Sequence, residues 1–216
     1  MNYTELKTAV EDAVENSFSA TDFATMTSLA EQKIYNAVQL ASLRKNMTGS
    51  LTPSNPYLAA PSDFMSVYSL SVIDGSGNYS FLLNKDVNFL RESFPNPSVT
   101  GKPKYYAIFG PDSGNPNELV FMLGPTPSAS LTAELHYFYY PVSIAIAGTS
   151  WLGDNFDSVL FNGVMCEAAR WMKQEQDVVA MMDKEFGQSL ILLKNLGDGK
   201  QRQDAYRSGQ TRNKVS

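Results

Sequence analysis

The chain of 216 residues has one cysteine, Cys166, and one histidine, His136. A lone cysteine cannot make an internal disulfide and suggests synthesis in a reducing compartment. Together the two leave only carboxylates for a metal, and no Asp and Glu loop with calcium-binding spacing is present. Neither a GxGxxG turn nor a GxxxxGKS or GxxxxGKT loop occurs, so dinucleotide and P-loop phosphate binding have no support. A Ser, His and Asp triad or a Cys and His pair would have to use His136, but no GxSxG elbow or activated cysteine accompanies it. A single histidine in an aromatic strand reads as a hydrogen-bonded sheet residue, and Cys166 inside a helical pattern reads as a small buried thiol. No catalytic residue, cofactor or metal is expected. No run approaches the roughly 20 apolar residues needed to span a bilayer, and MNYTELKTAVEDAVEN lacks signal-peptide character, so a soluble, unprocessed protein is expected.

Charge is sparse, at 18% of residues, and the net −5 hides an asymmetry. Residues 197–216 carry Lys200, Arg202, Arg207, Arg212 and Lys214 against Asp198 and Asp204, which makes this tail +3 and the preceding body −8. The chain is 43% hydrophobic and 12% aromatic, ample for a packed core of one medium domain or of a core with an insertion. The tail, GDGKQRQDAYRSGQTRNKVS, holds only Tyr206 and Val215 as anchors and is expected to be disordered alone. It reads as an arm that orders on a partner, with arginines to grip carboxylates and Tyr206 to fill a pocket.

The segment LTAELHYFYY, Leu131 to Tyr140, alternates strictly. Leu131, Ala133, Leu135, Tyr137 and Tyr139 share one face, the signature of a strand with one dry side. Before it, from Leu43, the chain reads as short strands. Arg44 to Leu51 and Tyr57 to Ala60 flank TPSNP as a hairpin, and Val67 to Ile73 and Tyr79 to Leu83 flank DGSGN as another. Asp86 to Phe94 is a short helix, and Lys104 to Phe109 and Leu119 to Leu123 bracket a Gly, Pro and Asn-rich loop. Short connections imply an antiparallel or mixed sheet.

Four helices flank this region. Leu6, Val10, Ala13 and Val14 mark the first; Phe23, Met26, Ala30, Ile34, Ala37 and Val38 mark the second, with Thr21 as its N-cap and an end near Gln39. These two are expected to pair across SFSA. After GDNFD, the residues Phe156, Val159, Leu160, Gly163, Val164, Ala168 and Trp171 mark a third. Asp177 caps a fourth with Val178, Met181, Met182, Phe186, Leu190, Leu193 and Leu196 inward, terminated by Gly197. The expected fold is α+β: an antiparallel four-helix bundle (1–42 and 152–196) with an inserted antiparallel or mixed β-rich domain (43–151) and an extended C-terminal arm (197–216).

The runs YNAVQLASLRKNMTGSL, PSDF, YSLSVIDGSGNYSFLLN, LGPTP, ELHYFYYP, GTSWLGDN and LGDGKQRQDAYRSGQ resemble the head-to-tail adaptor (connector) proteins of tailed phages, the tail tubular protein A-like family. The resemblance covers nearly the whole chain. It implies a structural, non-enzymatic virion protein at the neck of the phage tail, made in the bacterial host cytoplasm. It further implies a ring, usually a dodecamer, beneath the portal protein, whose opposite face receives the tail nozzle (tail tubular B-like) protein and tail fibres. Genomic DNA would pass through the channel at ejection without specific binding. The arm would dock on the portal through Lys200, Arg202, Asp204, Tyr206, Arg207 and Arg212. QLAS has alanine where relatives are expected to have proline, which would lengthen the second helix by a turn. On the residues alone, a small nucleic-acid- or protein-binding module with a basic disordered tail is the alternative, and an unrecognised carboxylate enzyme a third reading.

Overall fold

The computed structural model describes residues 1–111 and 118–197, which form two compact units. One combines Met1–Leu43 with the chain from Pro141 onward; the other is Arg44–Tyr140.

The β unit is built on its last strand. Strand β10 (Leu131–Tyr139) pairs antiparallel on one side with β1 (Arg44–Leu51) and on the other with β3 (Phe64–Ile73), whose outer neighbour is β4 (Tyr79–Phe81). A second sheet has the order β2-β8-β7-β5, from β2 (Tyr57–Ala59), β8 (Val120–Gly124), β7 (Tyr105–Phe109) and β5 (Leu83–Asn84). Strands β6 (Thr100–Gly101) and β9 (Thr126–Pro127) make a small parallel pair, and β5 also runs parallel to β7. Helix α3 (Val87–Ser93) packs Leu90 against Ala107 and Met122.

Alternation along β10 sends Ala133, Leu135 and Tyr137 into a core shared with Leu70 and Val72 of β3 and Phe121 and Leu123 of β8. Phe121 is fully buried, with Phe64 set edge-on at 5.4 Å and Tyr106 at 5.9 Å between ring centroids. Phe138, on the other face, is buried too, because the Arg44 guanidinium lies over its ring and over that of Tyr68.

In the helical unit, helix α6 (Asp157–Trp171) is the common partner. It packs against α2 (Ala20–Ala37), α7 (Gln176–Asn195), α1 (Tyr3–Val14) and the short α5 (Trp151–Asn155). Gly163 makes this close approach feasible: a Cβ there would lie 3.1 Å from Phe186 of α7 and 3.3 Å from Ala30 of α2. Helix α4 (Ile144–Ala147) follows the return from the β unit. No described helix is long and apolar enough to cross a membrane.

The expected four-helix bundle is not there. Seven helices of unequal length occur among the described residues, α1 leans chiefly on α6 instead of pairing along α2, and the β content is larger than expected. The amphipathic patterns marked helices correctly but could not say which faces meet. Three local expectations also change. The TPSNP segment does not close a hairpin: β1 and β2 enter different sheets, and Ser54, at φ 62°, donates its N–H to Pro127 instead. Ser19, not Thr21, caps α2 by accepting from Asp22 N–H, and α2 ends at Ala37 with no added turn. Helix α7 starts at Gln176 with no side-chain cap, and Met181 and Trp171, expected inward, are about half exposed.

Asp63, in the PSDF turn, ties the end of β10 to β1. Its carboxylate accepts from Tyr137 Oη at 2.9 Å and from Lys45 Nζ at 2.6 Å, and its carbonyl accepts from Tyr140 N–H. Burial works against the charge, but the bonds from Lys45 and Tyr137 prevail and hold the carboxyl below its usual range. Burial and the bond to Asp63 push the Tyr137 phenol up to about 12. A depressed acid stabilises the fold above its unfolded pKa, and that contribution is lost as pH falls through the folded value. The stability of the intact protein against chemical denaturant should therefore fall below about pH 4, and the Asp63→Asn variant, measured alongside, should show a flatter profile there.

Candidate docking surfaces

All six residues expected to grip the portal, Lys200, Arg202, Asp204, Tyr206, Arg207 and Arg212, lie outside the described residues. Besides the Asp63 network, three polar clusters stand out among the described residues.

At the α2–α6–α7 junction, Glu167 of α6 accepts from Lys33 of α2 and, at 2.9 Å, from Arg170. Arg170 reaches across to α7, where its single nitrogen Nη2 contacts both carboxylate oxygens of Asp183 at 2.6 and 2.7 Å. The Cys166 thiol donates to the same carboxylate at 2.9 Å. Burial first, then that bond, push the thiol up to about 12, so Cys166 stays protonated and unreactive at neutral pH.

Near the N-terminus of α4, Glu31 of α2 is 3% exposed. Its Oε1 accepts from Ile144 N–H at 3.0 Å, and the Ser143 hydroxyl bonds to the same carboxyl. Burial pushes Glu31 above its usual range while these bonds pull the other way.

The third place is a cluster that sequence reasoning missed. On β10, Glu134 and His136 share a face, and β3 sets Ser69 directly opposite His136. Ser69 Oγ is 3.2 Å from His136 Nδ1, and His136 Nε2 is 3.4 Å from Glu134 Oε1. The spacing Glu134-x-His136 was visible; the cross-strand serine was not, because register is set by tertiary pairing. These are triad-type residues, but β10 is paired on both sides, so its amides serve the ladders and do not converge as an oxyanion site. The cluster behaves as a cross-strand polar ladder, extended by Tyr79, whose hydroxyl bonds to Glu134.

Around these places apolar side chains stand exposed. In the β unit they include Tyr68 and, on the edge strand β4, Tyr79 stacked on Phe81 at 6.5 Å. In the helical unit they include Ile146 and, along α7, Met181, Ile191 and Leu192. A groove of about 290 Å³ at the α6–α7 turn is lined by Met165, Met172 and Met182, with Glu15 of the α1 C-cap at its edge. The charge is unevenly shared. Helical-unit residues up to 197 hold thirteen acidic against six basic side chains, a net −7, whereas residues 44–140 are nearly balanced, seven against six.

Exposed apolar faces, an acidic helical unit and a basic terminal segment describe a protein built to be covered by other proteins. The chain belongs to the SU10 adaptor protein family, whose model matches residues 1–213. It is a phage adaptor protein, a structural component of the virion at the head-to-tail junction. No curated protein matches the sequence.

The Glu31 contact carries a pH-signed prediction. An acid whose folded pKa is raised binds its proton more tightly in the native state, so stability falls as pH rises through that window. Glu31→Gln keeps an acceptor for Ile144 N–H without the charge, so it should match or exceed the parent stability at pH 7, with the gap closing at acid pH. Glu31→Ala leaves the amide unpaired and should cost about 1–3 kcal/mol. Urea unfolding at both pH values measures all three proteins.

Proposed function

We propose that the protein assembles side by side into a closed, dodecameric ring that joins the portal to the tail nozzle and continues the DNA channel. The observation that carries this reading is the extent of the family match. It runs to residue 213 and so includes the polar arm, a segment whose composition contributes nothing to a core. A stretch that cannot stabilise its own fold but belongs to the family pattern has its role in contact with another protein.

The faces described above support the rest. A ring built by head-to-tail contacts needs two different apolar surfaces on each subunit; the exposed α7 side chains and the β4 edge are candidates. An acidic helical unit facing the lumen repels DNA phosphates, which suits passage without capture. The arm, residues 197–216, docks on the portal, with Tyr206 as anchor and Lys200, Arg202, Arg207 and Arg212 pairing with acidic groups. Each arm binds weakly after losing its chain freedom, and a ring multiplies the contact by avidity. The opposite end receives the nozzle and tail fibres.

Co-sedimentation with purified portal tests the docking role. Removing residues 199–216 should leave the body folded and abolish attachment, and Tyr206→Ala should weaken it more than Lys214→Ala. A deletion variant that binds at full strength would move the docking site onto the globular body.

A further inference from the structure

We propose that Ile146, standing out from the α4 turn as a knob, seats in the methionine-lined groove at the α6–α7 turn of the next copy of this chain. The inference rests on the side-by-side ring proposed above and supplies that ring with a knob and a socket.

Among the described residues Ile146 is the most exposed large apolar side chain, at 82%. One such side chain needs no explanation by itself, but this one is held out rigidly. The α4 turn is pinned from three sides. Its cap Ser143 accepts from Ala145 N–H, Ile144 N–H donates to the buried Glu31, and Gly148, at φ 78°, closes the turn with its carbonyl accepting from Tyr3 N–H at 2.9 Å. Ile144 is fully buried. Two positions on and about 200° round the helix, Ile146 is turned outward by that anchoring. Val142, just before the cap, is exposed as well. From Pro141 to Gly153 no residue is charged, so the knob brings no charge that burial would strip of water.

The groove, of about 290 Å³, is lined by Ala13 and Val14 at the end of α1, by Met165 and Met172 at the end of α6, and by Val178 and Met182 of α7. Methionines suit the socket, because their flexible thioethers close around an aliphatic side chain, and Glu15 is its one charged lining residue. The knob cannot fill the groove of its own subunit. Tyr3, which holds Gly148, and Val14, which lines the groove, are eleven positions apart on α1, about 17 Å at roughly 1.5 Å per residue. Knob and groove thus lie at opposite ends of one helix within one compact unit. Seating one in the other joins two different faces, a contact that repeats from copy to copy. It covers far less than the roughly 1,000 Å² of a stable interface, so free copies stay apart and the contact acts once the portal gathers many of them.

The test is thiol cross-linking with a short bismaleimide in the full-length protein mixed with purified portal, with copies per portal counted in parallel by native mass. Cys166 is buried and its thiol is pushed up to about 12, so it takes no part. Ile146→Cys combined with Met172→Cys or with Val178→Cys should give a ladder of linked copies extending past the dimer on a denaturing gel, while each single-cysteine variant stays unlinked. Ile146→Asp should leave the melting temperature of the free protein unchanged and weaken assembly on the portal roughly tenfold or more, because the lost burial is joined by a charge in the socket. Many copies per portal without a ladder, or with Ile146→Asp assembling at full strength, would overturn this contact and leave the ring reading in place. A ladder that stops at the dimer would overturn it in favour of a reciprocal pair, and linking of Ile146→Cys alone would overturn it in favour of knob against knob. A portal that gathers no more than one or two copies would sink both readings.

Discussion

The pairing of β1 with β10 is the constraint on which the rest of the structure depends. Arg44 opposes Phe138 and Leu51 opposes Leu131, so the strand that opens the β unit lies against the one that closes it. The chain leaves the helical unit at Leu43 and returns at Pro141 through neighbouring positions. Closing so long a loop costs little more than closing one of half the length, because the entropy grows only as the logarithm of loop size. Arg44 stacked on Phe138 and Tyr68, and Asp63 holding Lys45, Tyr137 and the Tyr140 amide, fasten that end of the pair.

The helical unit solves a different problem, because two stretches far apart in sequence must make one body. Its apolar contacts converge on α6, and its buried polar groups bridge the two stretches. Lys33 reaches Glu167, and Glu31 reaches Ile144. Neither bridge is an inexpensive device, since each takes a charge out of water. Their value is specific pairing of α2 with the returning chain, which the smooth apolar faces alone would not define.

Sequence reading recovered what is local. The alternation in LTAELHYFYY fixed β10 and its dry face, DGSGN marked the turn between β3 and β4, and Asp86 marked the start of α3. It failed where distant segments choose partners. TPSNP looked like a hairpin turn, but β2 finds β8 and β1 finds β10. Four amphipathic patterns suggested a bundle, but one helix, α6, takes most of the packing. The Ser69, His136 and Glu134 cluster depends on strand register, so only its Glu134-x-His136 half was readable. The site residues of the arm were read from composition and resemblance, and they fall outside the described residues.

Both units combine a packed core with apolar surface left exposed. The β unit keeps a dry core around Phe121 while showing Tyr79 and Phe81 on an edge, and α7 keeps Leu193 buried while showing Ile191 and Leu192. The central claim is that many identical copies close around the portal and are held by their arms. Native mass measurement of purified portal mixed with excess protein tests this most directly. The account predicts one dominant complex carrying a full ring of adaptor copies on each portal, with no series of partial loadings. A portal that carries only one or two copies at saturation, or none, would contradict it.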